Sequence, residues 1–366
     1  MRRTATRLSD GRELIYFDRD DAPERTAVDL RGLAAGSTEQ GTMRFDALTG
    51  QWISIAGHRQ SRIFLPDAAE CPLCPTSPGN LSEIPESSYD VVVFENRFPS
   101  FLAGASAPSA DLAGSPGAQA PAYGRCEVVA FSDDHGGSIG GLDDESMALV
   151  LAAWIDRTRE LSELPGIRYV FPFENRGDDV GVTLHHPHGQ VYAYPFVPPA
   201  MAAVLAQAKS ANEARRSLIS DEVARELADA SRVVYRDDHW VAFVPFAARW
   251  PYELQVHPLA DRASLADLTA QERESFVRFY PRLIRALDTI FDMPFPYMAG
   301  WYQCPAHPTA EETRDSRLFL RLISNRRAAD KLKYLASSES LMGAFIGDVV
   351  PEAAAAEIRE ALERVT

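Results

Sequence analysis

Chemical capacity is concentrated in the run Thr183-Leu184-His185-His186-Pro187-His188-Gly189-Gln190-Val191-Tyr192. Three of the chain's eight histidines fall within these ten residues. Val191-Tyr192-Ala193-Tyr194 is aromatic and β-rich, which predicts a strand. If the backbone is already extended from His186, the two-residue side-chain period places His186, His188 and Gln190 on one face. Gly189 leaves room there for something bulky to approach the backbone. Two imidazoles and an amide on one face suit a phosphate or a metal ion better than a core.

Cys71-Pro72-Leu73-Cys74 offers a second constellation. Cys-x-x-Cys without a secretory context is a metal knuckle or a redox pair. A redox pair sits at a strand-to-helix junction, and Pro66, Pro72, Pro75 and Pro78 oppose a helix here, so the spacing favours zinc. Two cysteines need two more ligands for a closed tetrahedral site. His135, at a strand end, and His186 supply them, giving the set Cys71, Cys74, His135 and His186. Such a site has no open position for water and is read as structural. His185, on the opposite face of an extended run, competes with His186 on parity.

That leaves His188. A neutral imidazole is a good nucleophile toward phosphorus near pH 7, and the phosphorus–nitrogen bond it forms is labile enough to pass the group on. Gln190 can donate its amide to a phosphoryl oxygen and stabilise developing charge. Thr183, with Gly181 nearby, is a candidate contact for a second phosphate. Arg59 and Arg62, beyond a strand and beside His58, could hold an anion. A solvated basic loop is the competing reading.

The elements that must position these residues form a repeating order. The 366 residues, 46% of them hydrophobic, suffice for one large or two ordinary domains. Strands are predicted at 13–17, 51–55, 91–94, 125–131 and 168–173, with an amphipathic helix over 144–163 capped by Asp143 or Asp144. Residues 18–41 read as a mobile arm and 102–122 as a surface loop. After the Ala/Arg/Glu-rich helical stretch 199–230 the order returns. Strands at 233–235 and 240–245, then 252–257, precede a helix over 269–291 and strands at 296–302 and 317–324. Strand–strand–helix–strand–strand, met twice, argues for a duplication. The fold class is α+β: two tandem units, 1–198 and 199–366, each a mostly antiparallel sheet with a packed helix. In the second unit Arg317 to Ser324 matches the histidine strand but has no histidine, so that unit would scaffold the chemistry or supply substrate contacts.

Composition removes other classes. A formal net charge of −15 repels phosphate backbones, which argues against nucleic-acid binding. No apolar run reaches transmembrane length. Met1 to Arg7 is basic with no apolar segment behind it, unlike a secretory signal. A cytoplasmic protein is expected. Four cysteines make no disulfide framework, and Cys126 and Cys304 read as small buried hydrophobes.

Several motifs resemble those of the galactose-1-phosphate uridylyltransferase family, two-unit members of the histidine-triad superfamily. They are Leu48-Thr49-Gly50-Gln51-Trp52-Ile53, His58-Arg59, Cys71-x-x-Cys74, Phe94-Glu95-Asn96-x-Phe98-Pro99, Phe173-Glu174-Asn175-x-Gly177 and His186-Pro187-His188-Gly189-Gln190. Gln190 at the third triad position resembles the transferase branch; hydrolases of the superfamily typically carry His there. The resemblance implies two histidine-triad-like units and a ping-pong reaction. His188 would take the uridylyl group from UDP-glucose, expelling glucose 1-phosphate, and pass it to galactose 1-phosphate to give UDP-galactose, while Gln190 steadies the phosphoryl group. It places Arg59, Arg62, Asn96, Phe98, Asn175 and Thr183 on nucleotide and phosphates, with Thr183 replacing the usual Ser. It implies one zinc per chain on Cys71, Cys74, His135 and His186, and a homodimer with shared active sites.

Departures lie in the second unit. Members with a second metal carry a His after Gly-Trp and a His-x-His pair on the last long strand; here these positions are Tyr302, Arg321 and Ile323, and a second metal is not expected. The family's sugar-binding segment corresponds to Lys333, Tyr334 and Glu339. The Lys-to-Glu spacing is kept, but Ser338 replaces the Tyr normally before Glu. A nucleoside-diphosphate-sugar phosphorylase or adenylyltransferase of the same superfamily, and a zinc-stabilised binding protein without catalysis, are the alternatives.

Overall fold

Eleven strands form one continuous antiparallel sheet. Across it they run Arg2–Arg7, Glu13–Asp18, Val91–Glu95, Arg125–Ala130, His188–Tyr194, Tyr169–Arg176, Tyr297–Tyr302, Phe319–Ile323, Leu254–Pro258, Trp240–Phe243 and Val233–Arg236. The structure is a computed structural model describing residues 1–34, 41–57, 66–104 and 115–365. His58, Arg59 and Arg62 lie outside the described residues. No described helix is long and apolar enough to cross a membrane.

The expected repeat is visible in the register. One row across the sheet joins Phe94, Val128, Gln190 and Phe173. A second joins Phe243, Gln255, Arg321 and Gly300. The rows meet where Phe173 pairs with Gly300, so a local two-fold passes through that pair. It equates Gln190 with Arg321 and, two residues earlier, His188 with Phe319.

Helices Asp144–Ser162 and Ala270–Asp288 occupy equivalent places. Asp143 caps the first by accepting from the Ser146 amide at 2.7 Å; Thr269 and Glu272 form a capping box on the second. Both helices share one apolar core with the sheet, including Trp154, Phe276, Trp240 and Trp301. The strand His188–Tyr194 alternates accordingly. Gly189, Val191 and Ala193 are buried, while His188, Gln190, Tyr192 and Tyr194 are half-buried on the other face.

Two segments differ from expectation. The arm described through residue 34 is pinned, not loose: Arg25 Nε donates to Asp18 at 3.0 Å, and Arg31 grips both oxygens of Asp29 at 2.9 Å. Its charges meet buried carboxylates, which pattern reading cannot foresee. Within the predicted loop 102–122, Gln119–Pro121 pairs with Thr42–Asp46, which also pairs with Gln51–Ile55.

Glu174 lies buried beside the junction of the units, opposite Ala299, and accepts from the Tyr297 hydroxyl at 2.8 Å. Burial pushes its carboxyl up to about 7, against the opposing pull of Tyr297 and Arg176. Between its ordinary value near 4.5 and about 7 the unfolded chain has lost a proton that the folded chain keeps. Stability therefore falls as pH rises through that window and levels above it, by at most ~3 kcal/mol. Glu174→Gln should flatten this slope in urea titrations between pH 5 and 8; a variant with the parent's slope would refute the assignment.

Candidate active site and metal cluster

His186 and His188 part company at the start of their strand. The strand begins at His188, and His186 sits in the preceding bend, fully buried. The expected common face therefore holds for His188 and Gln190 only. Gly189 serves the core: a Cβ there would stand 2.7 Å from both the Phe131 ring and the Phe173 carbonyl. The bulky neighbour that approaches this backbone is Phe131.

Cys71, Cys74, His135 and His186 converge, with ligand atoms all within 4.8 Å of one another. Among the described residues this is the only such group of three or more. Cys74 Sγ lies 3.3 Å from His135 Nδ1 and 3.5 Å from His186 Nδ1. Sulfur and nitrogen on one tetrahedral ion, at bond lengths of ~2.3 and ~2.0 Å, stand ~3.5 Å apart, so this set fits a metal ion. His186 Nε2 donates to the Ser132 carbonyl at 2.7 Å, with the Tyr89 hydroxyl oxygen at 2.9 Å. That fixes the tautomer and leaves Nδ1 free to ligate. Tyr89 in turn donates to the Leu73 carbonyl inside the knuckle at 2.7 Å. Burial pushes the Cys74 thiol up to about 12, and Cys71, Asp133 and Asp134 add to the effect, so the negative charge gathered here favours a cation. His185 stands apart, half exposed with Nδ1 3.6 Å from Asp178, which removes it as a competing ligand.

His188 Nδ1 donates to the His186 carbonyl at 2.8 Å. The lone pair is thereby left on Nε2, and burial pulls the imidazole's pKa down, favouring the neutral form. One residue thus ties the two centres: the side chain of His186 faces the cysteines and its carbonyl orients His188.

Two clefts meet at His188. One, of about 1060 Å³, is lined by Asn96, Phe98, Thr183, His188 and Gln190 among others. The other, of about 610 Å³, takes in Asn175, Gly181, Thr183, His188, Gln190 and Tyr192. Of the expected substrate residues, Asn96, Phe98, Asn175 and Thr183 are therefore gathered around His188. Lys333, Tyr334 and Glu339 are not. Lys333 and Glu339 pair with each other at 2.9 Å and are buried, while Tyr334 is 79% exposed. Sequence reading did not find Tyr89, Ser132, Arg31 or Glu83. Tyr89 and the Ser132 carbonyl reach the cluster only by strand packing, and no local pattern marks them.

The comparisons agree with this arrangement. The family profile described as galactose-1-phosphate uridyl transferase, N-terminal domain, matches residues 34–198, and its C-terminal-domain counterpart matches 204–365. The galactose-1-phosphate uridylyltransferase of Streptomyces lividans is 43% identical over 83% of this chain and 81% of its own length. That of Thermotoga maritima is 36% identical over 87% and 98%. A solved uridylyltransferase structure, 29% identical, superposes with a TM-score of 0.78 over 89% of this chain and 99% of its own. With both halves of the profile matched in order and the histidine strand at the meeting of two clefts, the chain belongs to the galactose-1-phosphate uridylyltransferase family.

Proposed function

We propose that this chain transfers a uridylyl group from UDP-glucose to galactose 1-phosphate through a covalent intermediate on His188. The observation that carries the proposal is the Nδ1–H bond from His188 to the His186 carbonyl, which leaves the Nε2 lone pair for the cleft beside Gln190. Nε2 attacks the α-phosphorus, the bond to the bridging oxygen breaks, and glucose 1-phosphate leaves with the electron pair. A phosphate oxygen of galactose 1-phosphate then attacks the same phosphorus. The phosphorus–nitrogen bond breaks and UDP-galactose departs. Gln190 donates to the phosphoryl oxygens as charge builds. Asn96 and Phe98 hold the nucleoside, Asn175 and Thr183 the phosphates, and Arg59 and Arg62 add positive charge.

Cys71, Cys74, His135 and His186 would hold one zinc per chain, which would tie their three segments together in a structural role. No second metal is used. Arg321, at one of the positions in question, is bound to Glu253 at 2.7 Å.

The protein works as a cytoplasmic homodimer, with residues 1–198 and 199–366 as its two units. Tyr334, Leu341, Met342 and Ile346 are exposed beside the buried Lys333–Glu339 pair. An apolar surface of this kind suits contact with a second copy, and this segment meets the hexose of the partner's substrate.

The test is incubation with UDP-glucose and galactose 1-phosphate, against UDP-glucose with inorganic phosphate. UDP-galactose in the first mixture is the expected result. Release of nucleoside diphosphate with phosphate alone, and no UDP-galactose, would replace this reading with a phosphorylase.

A further inference from the structure

The N-terminal arm forms part of the wall of the cleft that holds Asn96 and Phe98. Arg31 lies upstream of the matched family region, which begins at residue 34. Yet it lines the same cleft as His188 and Gln190, together with Glu83. Neither residue has a part in the reaction steps above.

The pair is built into the fold. Arg31 Nε and Nη2 donate to the two oxygens of Asp29 at 2.9 Å, and Nη1 lies 2.9 Å from Glu83 Oε1. Arg12 Nη2 donates to the other oxygen of Glu83 at 2.6 Å, and Arg12 Nε to Asp10 at 2.7 Å. The Ser9 amide and hydroxyl hold Asp29 at 3.0 and 2.8 Å. Arg31 spends three of its five N–H groups on these bonds, so two remain to donate. Each Glu83 oxygen meets one arginine and keeps acceptor capacity. A donor and an acceptor are thus fixed side by side at the cleft wall before any ligand arrives.

Charge and position decide what they face. Arg12 and Arg31 are set against Asp10, Asp29 and Glu83, leaving one negative charge in excess. That excess disfavours a phosphate and favours a neutral hydrogen-bonding group. Arg12 Nη1 also donates to the Glu95 carbonyl at 2.8 Å, which anchors the cluster at the end of the strand Val91–Glu95. That strand lies two places from the strand of His188, and its end at Glu95 stands level with Val191, three residues along, which puts Glu95 ~14 Å from His188 by strand spacing and rise. The span accommodates a pyrimidine nucleotide from its α-phosphorus to the outer edge of its base, with a side-chain contact at either end.

We infer that Arg31 and Glu83 read the pairing edge of uracil, Glu83 accepting from N3–H and Arg31 donating to O4. This rests on the reading above, because His188 fixes where the α-phosphorus lies. The arm is then a specificity element for the nucleobase, supplied from outside the matched family region.

The test pairs base analogues with substitutions. The wild-type protein should use UDP-glucose about 100-fold better, in kcat/KM, than its N3-methyluridine analogue, because the methyl group removes the donated proton and crowds the Glu83 carboxylate. Glu83→Ala should shrink that preference to about threefold. Glu83 joins two arginines, so a folding failure is guarded against with Arg31→Ala, which keeps the Glu83–Arg12 contact. That variant should lose the wild type's preference, about tenfold, for UDP-glucose over its 4-thiouridine analogue, whose sulfur is the weaker acceptor. A folded Glu83→Ala or Arg31→Ala protein that discriminates as the wild type does would overturn the inference. Labelled uridylyl bound to the wild-type protein separates the two failures. If it forms and discrimination ignores the substitutions, the inference alone falls; if it never forms, the reading of His188 falls and takes the inference with it.

Discussion

A His188→Gly protein should bind UDP-glucose and turn it over about a million-fold more slowly, the scale of loss seen when a nucleophile is removed from a preorganised site. Among the described residues no other side chain is poised to replace it. His186 is turned toward the cysteines with its Nε2 on the Ser132 carbonyl, and His185 points out beside Asp178. Gln190 can polarise a phosphoryl oxygen but cannot form the intermediate. Its replacement by Ala should cost less, about a hundredfold to a thousandfold in kcat. The measurement is radiolabelled UDP-glucose mixed with protein, quenched by denaturation and counted for label retained on the chain. Wild type and Gln190→Ala should retain it, and His188→Gly should not. Undiminished turnover in His188→Gly would remove the covalent step.

Cys71→Ser should empty the metal cluster and weaken the fold. Purified wild-type protein should contain about one zinc per chain, and the variant close to none. The four ligands come from the knuckle at 71–74, the loop after the strand Arg125–Ala130, and the bend before His188. Loss of the ion frees all three from one another and leaves Cys74 buried beside Asp133 and Asp134. Losing a structural metal belongs among the large effects, of order 4 kcal/mol, which in a chain of this size lowers Tm by ~5 °C. Activity should fall as well, because the carbonyl that orients His188 belongs to His186, one of the four clustered residues. Metal analysis and thermal melting check both effects. A Cys71→Ser protein that retains its metal would exclude Cys71 as a ligand, and two metals per chain would overturn the single-site reading.

Much of this architecture is written locally in the chain. The helix Asp144–Ser162 has its apolar stripe and its Asp143 cap in contiguous sequence, and its observed span lies within one residue of the expected ends. The repeat was legible because strand and helix periods recur in the same order, and the register that joins Phe173 to Gly300 agrees with it. The clustering of Cys71, Cys74, His135 and His186 was legible because cysteine spacing and histidine scarcity leave few combinations. What was hidden depends on contacts between distant segments. Nothing near Arg31 says that its guanidinium meets Glu83, some fifty residues on. The arm reads as loose because charged, Gly-containing sequence usually is. Nor does parity tell His185 from His186, since the bend before the strand breaks the two-residue period on which parity depends.

The local two-fold has a consequence for how such a chain arose. A unit that ended at Tyr169–Arg176, or at Tyr297–Tyr302, would leave a row of backbone N–H and C=O groups unpaired. Because the strands meet in a self-complementary register, each edge would serve as its own partner, and a separate unit would pair with a copy of itself. Fusion makes that pairing intramolecular, so it survives at any dilution. It also makes the halves inequivalent and lets them drift apart. At the place of His188 the second half carries Phe319, stacked on Tyr302 at 4.7 Å and on His257 at 5.1 Å. The position that an imidazole takes in the first half is thus packed with aromatic rings in the second.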